Sequence, residues 1–246
     1  MVAYALIPEG REIRGTVVFV SGFPPAELGG DMGIRRAACE AGWVALQFQP
    51  RGTWESEGAF SFLAWAADLR TIVSTSASEL DGPVAVIGHS AGGLMAVGPG
   101  SEIEAARCVA SIAGPNPAVM GEVFAASAEV RQGWEQQFDG LVGPDRPVRN
   151  GSSREFSRQL IEMKDRYQFE EIAVRLAGKP TLLVAATGDA VVRPEIHHHP
   201  LVEALRAATY VEYRAVQLDT DHDFGTAREE LLATVVDWLE EDCAGA

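Results

Sequence analysis

Short apolar runs rich in β-branched residues alternate along this chain with longer amphipathic stretches, and this alternation constrains the fold more than any other feature. The apolar runs predict strands at residues 2–7, 16–21, 43–48, 84–88, 108–113, 181–187 and 210–218. Several runs are almost continuously apolar, as strands of a parallel sheet are when helices cover both of its faces. The sequence therefore predicts an α/β fold with a doubly wound, mostly parallel sheet.

The amphipathic stretches predict the helices that cover this sheet. One helix is expected over residues 34–41, ending at Gly42, a residue type suited to a helix C-terminus. Apolar residues at helical spacing from Phe62 to Val73 predict another. Residues 226–229, Thr-Ala-Arg-Glu, have the pattern of a capping box and predict the start of the last helix.

Residues 115–178 interrupt this alternation because they carry no strand signal. Two amphipathic segments lie there, on either side of a joint rich in Pro and Gly at residues 143–147. A compact sheet does not need a connection of this length. The sequence therefore predicts a mobile helical cap over 115–178, inserted into a core formed by residues 1–114 and 179–246.

Charge and cysteine usage exclude several function classes. Acidic residues outnumber basic ones 35 to 20, giving a formal net charge of −15, which disfavours nucleic acid and anionic membranes as partners. The sequence shows neither a signal peptide nor an apolar run of the ~20 residues needed to cross a bilayer. Cys39, Cys108 and Cys243 are far apart and odd in number, so neither a disulfide framework nor a zinc site is expected, and the predicted location is the cytoplasm.

The motif Gly88-His89-Ser90-Ala91-Gly92 follows a predicted strand and precedes a helix start rich in small residues. GxSxG in this context is typical of a nucleophile elbow, a tight and strained turn that lifts the serine hydroxyl off the sheet. Ser90 is the predicted nucleophile, and the alternative is a serine with a purely structural role in the turn. The His89 side chain is expected to point away from the Ser90 hydroxyl and to pack or hydrogen-bond elsewhere.

A serine nucleophile needs a base, and the base needs an orienting acid, in the chain order Ser, Asp or Glu, His. His222 lies in the loop before the last helix, at the carboxyl edge of the predicted sheet, and is the predicted base. Asp189 follows the penultimate strand and is the predicted acid. Asp219, Asp221 and Asp223 are its rivals, although neighbours in sequence usually splay apart and cap their own loop.

An acyl-transfer site also needs two N–H donors for the developing oxyanion. Gly22, after the second predicted strand, allows close backbone approach, so the N–H groups of Phe23 and Ala91 are the predicted donors. An ordinary Gly-Pro turn is the alternative for this loop.

Three consecutive histidines, His197, His198 and His199, open a predicted helix. They are expected to form a solvated turn, since adjacent residues cannot all face one ion. No metal or organic cofactor is expected for this chain.

Together these motifs resemble those of serine hydrolases of the α/β-hydrolase superfamily, over nearly the whole chain. The resemblance rests on the elbow at 88–92, the Gly-Asp pair at 188–189, the Asp-His-Asp-Phe sequence at 221–224 and the loop at 21–24. In that loop Ser21 replaces a histidine that such proteins often carry. Residues 51–58 are similar to the Arg-Gly loop of esterases and of prolyl-oligopeptidase-like catalytic domains.

The resemblance implies a hydrolase that cleaves a carboxylic ester of a small molecule through an acyl-enzyme. Trp134 and Phe138 in the cap are candidate acyl-pocket residues, and Arg51 is a further candidate substrate contact, with structural packing as the alternative for each. Three other functions remain open on the same triad: a thioesterase or acyltransferase, a small peptidase, and a slow-turnover ligand-binding protein.

Overall fold

The computed structural model describes residues 1–27 and 30–245, and within these ranges seven strands form one sheet. The strands are β1 (Val2–Leu6), β2 (Gly15–Val20), β3 (Trp43–Gln49), β4 (Val84–His89), β5 (Ala106–Ile112), β6 (Thr181–Ala186) and β7 (Tyr213–Leu218). Their order is β1-β3-β2-β4-β5-β6-β7. β1 pairs antiparallel with β3, and each other neighbouring pair in the sheet is parallel. The predicted fold class, α/β with a mostly parallel sheet, is confirmed.

The helices alternate with these strands along the chain. They are α1 (Ile34–Glu40), α2 (Phe62–Glu79), α3 (Ala91–Val97), α4 (Pro117–Ala126), α5 (Ala128–Asp139), α6 (Ser153–Met163), α7 (Phe169–Arg175), α8 (Pro194–Ala207) and α9 (Arg228–Trp238). Short 3₁₀ turns at Pro99–Glu102 and Lys164–Tyr167 and a π turn at Leu239–Cys243 complete them. Among the described residues, no helix has the length and apolarity needed to cross a membrane.

Alternate residues of β2 face opposite sides of the sheet, as the pleat of a strand requires. Val17 and Phe19 are fully buried in a cluster with residues of α1 and α9. Val18 and Val20 are buried in a second cluster, with residues of α2 and α8. Because helices cover both faces, every position of β2 is inside the protein, which explains why four consecutive residues of this strand, 17–20, are apolar.

The described chain between β5 and β6 is helical and holds α4, α5, α6 and α7. The joint at residues 143–147 lies between α5 and α6, and the residues after it are hydrogen-bonded to the loop that follows β3. The Arg149 N–H donates to the Gly52 carbonyl at 2.8 Å, and the Phe60 N–H donates to the Asn150 carbonyl at 2.7 Å. The helical content agrees with the sequence, while the division into core and cap domains stays a prediction.

The structure corrects the prediction that the cysteines form no disulfide. Cys108 of β5 is bonded to Cys243 in the last turn of the chain, with 5.9 Å between the two Cα atoms, within the usual range for a disulfide. Both cysteines are completely buried in the cluster beneath α9. The two residues are 135 apart in sequence, so spacing gave no sign of the pairing.

The predicted capping box at residues 226–229 is also wrong. The helix α9 begins at Arg228, and its N-cap residue, Ala227, offers no side-chain acceptor. Thr226 instead donates its hydroxyl to the Thr220 hydroxyl at 2.9 Å. The threonine therefore stabilises the loop before the helix rather than the first turn of the helix.

Candidate active site

Ser90 lies in the turn between β4 and α3 and has a φ of 54° and a ψ of −125°. A positive φ is strained for a residue other than glycine, and such strain is concentrated at functional sites. The turn is tight on both sides. A Cβ atom on Gly88 would lie 2.0 Å from the Gly92 carbonyl oxygen, and one on Gly92 would lie 1.9 Å from the Val20 carbonyl oxygen. Backbone contact thus requires glycine at both outer positions of the motif.

His222 lies between Ser90 and Asp189 and is hydrogen-bonded to both. Its Nε2 is 2.9 Å from Ser90 Oγ, and its Nδ1 is 2.6 Å from Asp189 Oδ2. The other oxygen of Asp189 accepts the N–H groups of Val191 and Val192 at 2.8 and 2.7 Å. The Asp189 side chain is fully buried, and the His222 side chain is 15% exposed. The structure thus brings the three predicted residues into one hydrogen-bonded row, in which the carboxylate has a single orientation.

The three rival acids do not reach His222. Asp219 accepts the Thr187 hydroxyl at 3.1 Å, and Asp221 accepts the Gly225 N–H at the same distance. Asp223 is exposed. Two of the rivals therefore stabilise the loop around His222.

His89 supports this loop from inside the protein. Its Nε2 lies 3.0 Å from the carbonyl oxygen of His222, and the two imidazole rings are 5.0 Å apart. Burial lowers the pKa of His89, so the ring is neutral and its Nε2–H donates to that carbonyl. His89 therefore points away from the Ser90 hydroxyl and holds the backbone of His222.

The loop after β2 lies directly against the nucleophile. A Cβ atom on Gly22 would be 3.1 Å from Ser90 Cβ and 3.7 Å from Ser90 Oγ. Among residues 1–27 and 30–245, neither the Phe23 N–H nor the Ala91 N–H has a hydrogen-bond acceptor. Both groups are thus available to a ligand next to Ser90.

An aromatic cluster joins this loop to the chain between β5 and β6, which holds α4 to α7 and is called the helical segment below. The Phe23 ring stacks on Phe138 with 4.9 Å between ring centroids and an interplanar angle of 18°. Phe60, Trp134 and Phe156 surround the same ring at 6.0, 6.2 and 6.3 Å. Phe138 is only 1% exposed because other rings cover it, and its role as an acyl-pocket residue stays a prediction. Trp134 keeps part of its surface exposed.

Arg51 is hydrogen-bonded to Asp68 of α2. Its Nε donates to Asp68 Oδ1 at 2.8 Å, and its backbone N–H donates to Asp68 Oδ2 at 2.7 Å. The hydrogen bonds to the buried Asp68 carboxylate raise the pKa of Arg51. The residue fastens the loop after β3 to α2. Its side chain is still 44% exposed, so its role as a substrate contact stays a prediction.

Two of the three histidines of α8, His197 and His198, are partly buried and not solvated as the sequence suggested, whereas His199 is exposed. Burial lowers the pKa values of His197 and His198 to about 4. His197 Nδ1 accepts the backbone N–H of Asn116, the N-cap residue of α4, at 3.1 Å. In the described ranges no three metal-binding side chains are grouped together. His197 therefore anchors the start of the helical segment, a role that its sequence neighbourhood did not indicate.

Comparisons with known proteins complete this description. No family model and no curated protein matches the sequence. Among solved structures, Est1E from Butyrivibrio proteoclasticus with ferulic acid bound is similar to this chain at a TM-score of 0.71 and 17% identity. The similarity covers 98% of this chain and 94% of Est1E.

This chain has the α/β-hydrolase fold. An enol-lactonase from Burkholderia xenovorans is similar at a TM-score of 0.63 and 16% identity, over 98% of this chain and 96% of that one. The esterase domain of a Rhodothermus marinus protein is similar at 0.62 and 19%, over 96% and 91%. The resemblance drawn from the motifs is thus confirmed at the level of the fold.

Proposed function

We propose that this α/β-hydrolase-fold protein cleaves a carboxylic ester of a small molecule through an acyl-enzyme on Ser90. The observation that carries the proposal is the row Ser90–His222–Asp189, with both hydrogen bonds at 2.9 Å or less. Serine, histidine and aspartate in this arrangement recur on several unrelated folds that catalyse acyl transfer. That the similar solved structures include an esterase domain and an enol-lactonase supports the same reaction class.

In the acylation step, His222 Nε2 takes the proton of Ser90 as Oγ attacks the ester carbonyl carbon. Asp189 stabilises the resulting imidazolium through its bond to Nδ1 and fixes the tautomer that leaves Nε2 free to accept. The carbonyl oxygen becomes an oxyanion and accepts the N–H groups of Phe23 and Ala91. When the tetrahedral intermediate collapses, His222 gives its proton to the leaving alcohol.

Water then completes the reaction. His222 takes a proton from a water molecule as its oxygen attacks the acyl carbon, and the same two N–H groups hold the second oxyanion. Collapse releases the carboxylic acid, and the proton on His222 returns to Ser90 Oγ. Each step uses groups of this chain and water alone.

Burst kinetics with p-nitrophenyl acetate test the proposal most directly. We expect a rapid release of about one p-nitrophenolate per enzyme, followed by slower turnover. A fluorophosphonate should label the protein and abolish the burst. Labelling without turnover would identify a ligand-binding protein on this scaffold instead. Faster turnover with an acyl thioester or a short peptide than with any ester would replace ester cleavage with one of the other activities of the same triad.

The cytoplasmic location stays a prediction, and one feature weighs against it. Disulfides persist in oxidising compartments and are rare in the reducing cytosol. The Cys108–Cys243 bond is therefore unexpected for a cytoplasmic protein.

A further inference from the structure

We propose that Phe138 is a positioning residue: its ring holds the Phe23 N–H at the oxyanion site, so the helical segment controls the rate of the chemical step. The inference rests on the proposed function. It assigns to a buried side chain a role in the reaction that it performs without touching the substrate.

No regular element of secondary structure sets the direction of the Phe23 N–H. This N–H has no acceptor within the described part of the chain, and Phe23 lies outside the regular strand that ends at Val20. Its neighbour Gly22 carries no side chain that would restrict the peptide between them. On its other side the loop is held further along the chain, where Trp54 Nε1–H donates to the Pro25 carbonyl at 2.6 Å and the Ala26 N–H donates to Ser21 Oγ at 3.2 Å. The packed ring of Phe23 is a contact of the donor residue itself and therefore lies nearer to its N–H than these hydrogen bonds do.

That ring is held on several sides, and mostly by the helical segment. Phe138 and Trp134 belong to α5 and Phe156 belongs to α6, whereas Phe60 lies in the loop between β3 and α2. The stack with Phe138 is the tightest contact of the group, at 4.9 Å. Because a ring packed on several faces is confined to one rotamer, its Cα and the adjoining N–H are confined as well.

Small displacements of an oxyanion donor have large effects. Such a donor acts when it lies about 2.7–3.1 Å from the oxyanion, and losing one donor costs about 10²–10³-fold in kcat. A movement of about 1 Å is enough for a loss of this order. We therefore expect Phe138→Leu, which shortens the stacked partner, to lower kcat about tenfold or more for every ester, with little change in KM.

The experiment compares kcat and KM of Phe138→Leu with those of the wild type on p-nitrophenyl acetate, butyrate and octanoate. It also compares inhibition by a trifluoromethyl ketone, which forms an oxyanion on Ser90, with inhibition by the matching methyl ketone. We expect kcat to fall by one common factor across the three esters. The trifluoromethyl ketone should bind about tenfold more weakly or worse, and the methyl ketone as before.

The matched control is Tyr167→Leu. Tyr167 is an aromatic residue of the same segment and is 2% exposed, but its ring meets Phe62 and not Phe23. We expect this variant to lose comparable thermal stability while keeping wild-type kcat. An equal fall in kcat in Tyr167→Leu would show that general loosening, not the stack, slows the reaction and would overturn the proposal.

A second variant keeps the proposal testable if Phe138→Leu does not fold. Phe23→Leu removes the same stack from the loop side, where the residue is partly exposed, and should give the same common loss of kcat. In the double variant the two losses should not add, since both changes remove one interaction. Unchanged kcat on acetate in a folded variant, or a loss confined to octanoate, would refute the positioning role. Absence of Ser90-dependent turnover in the wild type would instead refute the proposed function.

Discussion

The sheet edge that carries Ser90 and the helical segment that contacts it are held by different kinds of interaction. At the sheet edge, backbone atoms fix the positions: the elbow closes because Gly88 and Gly92 touch neighbouring carbonyls. Two backbone N–H groups likewise fix the Asp189 carboxylate. Side chains fix the contact with the helical segment, through stacked rings around Phe23.

This difference predicts how each region responds to substitution. Where backbone atoms hold the site, substitutions of the surrounding side chains should have little effect. Substitution of Ser90, His222 or Asp189 should instead remove activity and leave the fold intact. In the aromatic cluster around Phe23, a substitution should change stability and activity together, because the same rings pack the protein and contact the loop next to Ser90. The predictions below test this contrast.

The largest effect is expected at the nucleophile. Ser90→Ala should lower ester turnover by about four to six orders of magnitude and abolish fluorophosphonate labelling, while the melting temperature stays near that of the wild type. Ser76→Ala, at a buried serine of α2, is the control and should keep both ester turnover and fluorophosphonate labelling. A Ser90→Ala protein that retains most of its activity would rule out the triad.

The next largest effect is expected at the acid. Asp189→Asn should reduce kcat by about 10⁴-fold, because the amide favours the wrong tautomer of His222. Asp221→Asn is the matched control, since Asp221 accepts only a bond within its own loop, and it should be nearly silent. The opposite ranking of the two variants, measured by steady-state kinetics, would make Asp221 the acid.

A smaller effect is expected at Trp134, the partly exposed ring of the cluster. Trp134→Ala should change the ratio of kcat/KM between octanoate and acetate esters by about tenfold, the scale of a reshaped apolar pocket. Its melting temperature should change less than that of Phe138→Ala, which leaves a cavity in a closed core. Equal relative rates across chain lengths would show that Trp134 only packs.

The smallest effect is expected from protonation of His197, which accepts a hydrogen bond from the start of the helical segment. Burial lowers the pKa of His197 to about 4 from an ordinary value of 6.5. The unfolded chain therefore binds this proton first as the pH falls, so stability is full above about 6.5 and is lost towards pH 4. We expect the melting temperature to drop by a few degrees between pH 7 and pH 5.

A His197→Asn variant tests the source of this drop. Its side-chain oxygen offers an acceptor to the Asn116 N–H that does not titrate, so the pH dependence should become flatter. An unchanged slope would place the titrating group elsewhere, with His198 of the same helix as the next candidate.

The features that the sequence predicted well are encoded by residues that are close together in the chain. The central strands are short and largely apolar, and Ser90, Asp189 and His222 each follow the end of a strand. In this fold the three residues have a fixed chain order, which a linear pattern shows directly.

The features that the sequence missed depend on distant partners. Phe138 is an apolar helix residue in sequence, and only the neighbouring rings of Phe23 and Phe156 show that it is enclosed. Arg51 forms an ion pair with Asp68, on the next helix. His197 accepts a hydrogen bond because Asn116, which is far from it in sequence, begins the helical segment next to it. No local spacing encodes these contacts.

The bond between Cys108 and Cys243 also determines whether a single proteolytic cut separates the chain into two fragments. It closes a covalent ring that contains the helical segment, Asp189 and His222, while Ser90 lies on the free arm that precedes it. A protease that cuts between α5 and α6 would therefore leave both fragments in one molecule. On a denaturing gel the nicked chain should migrate near full length until a reductant is added, and only then separate into two bands.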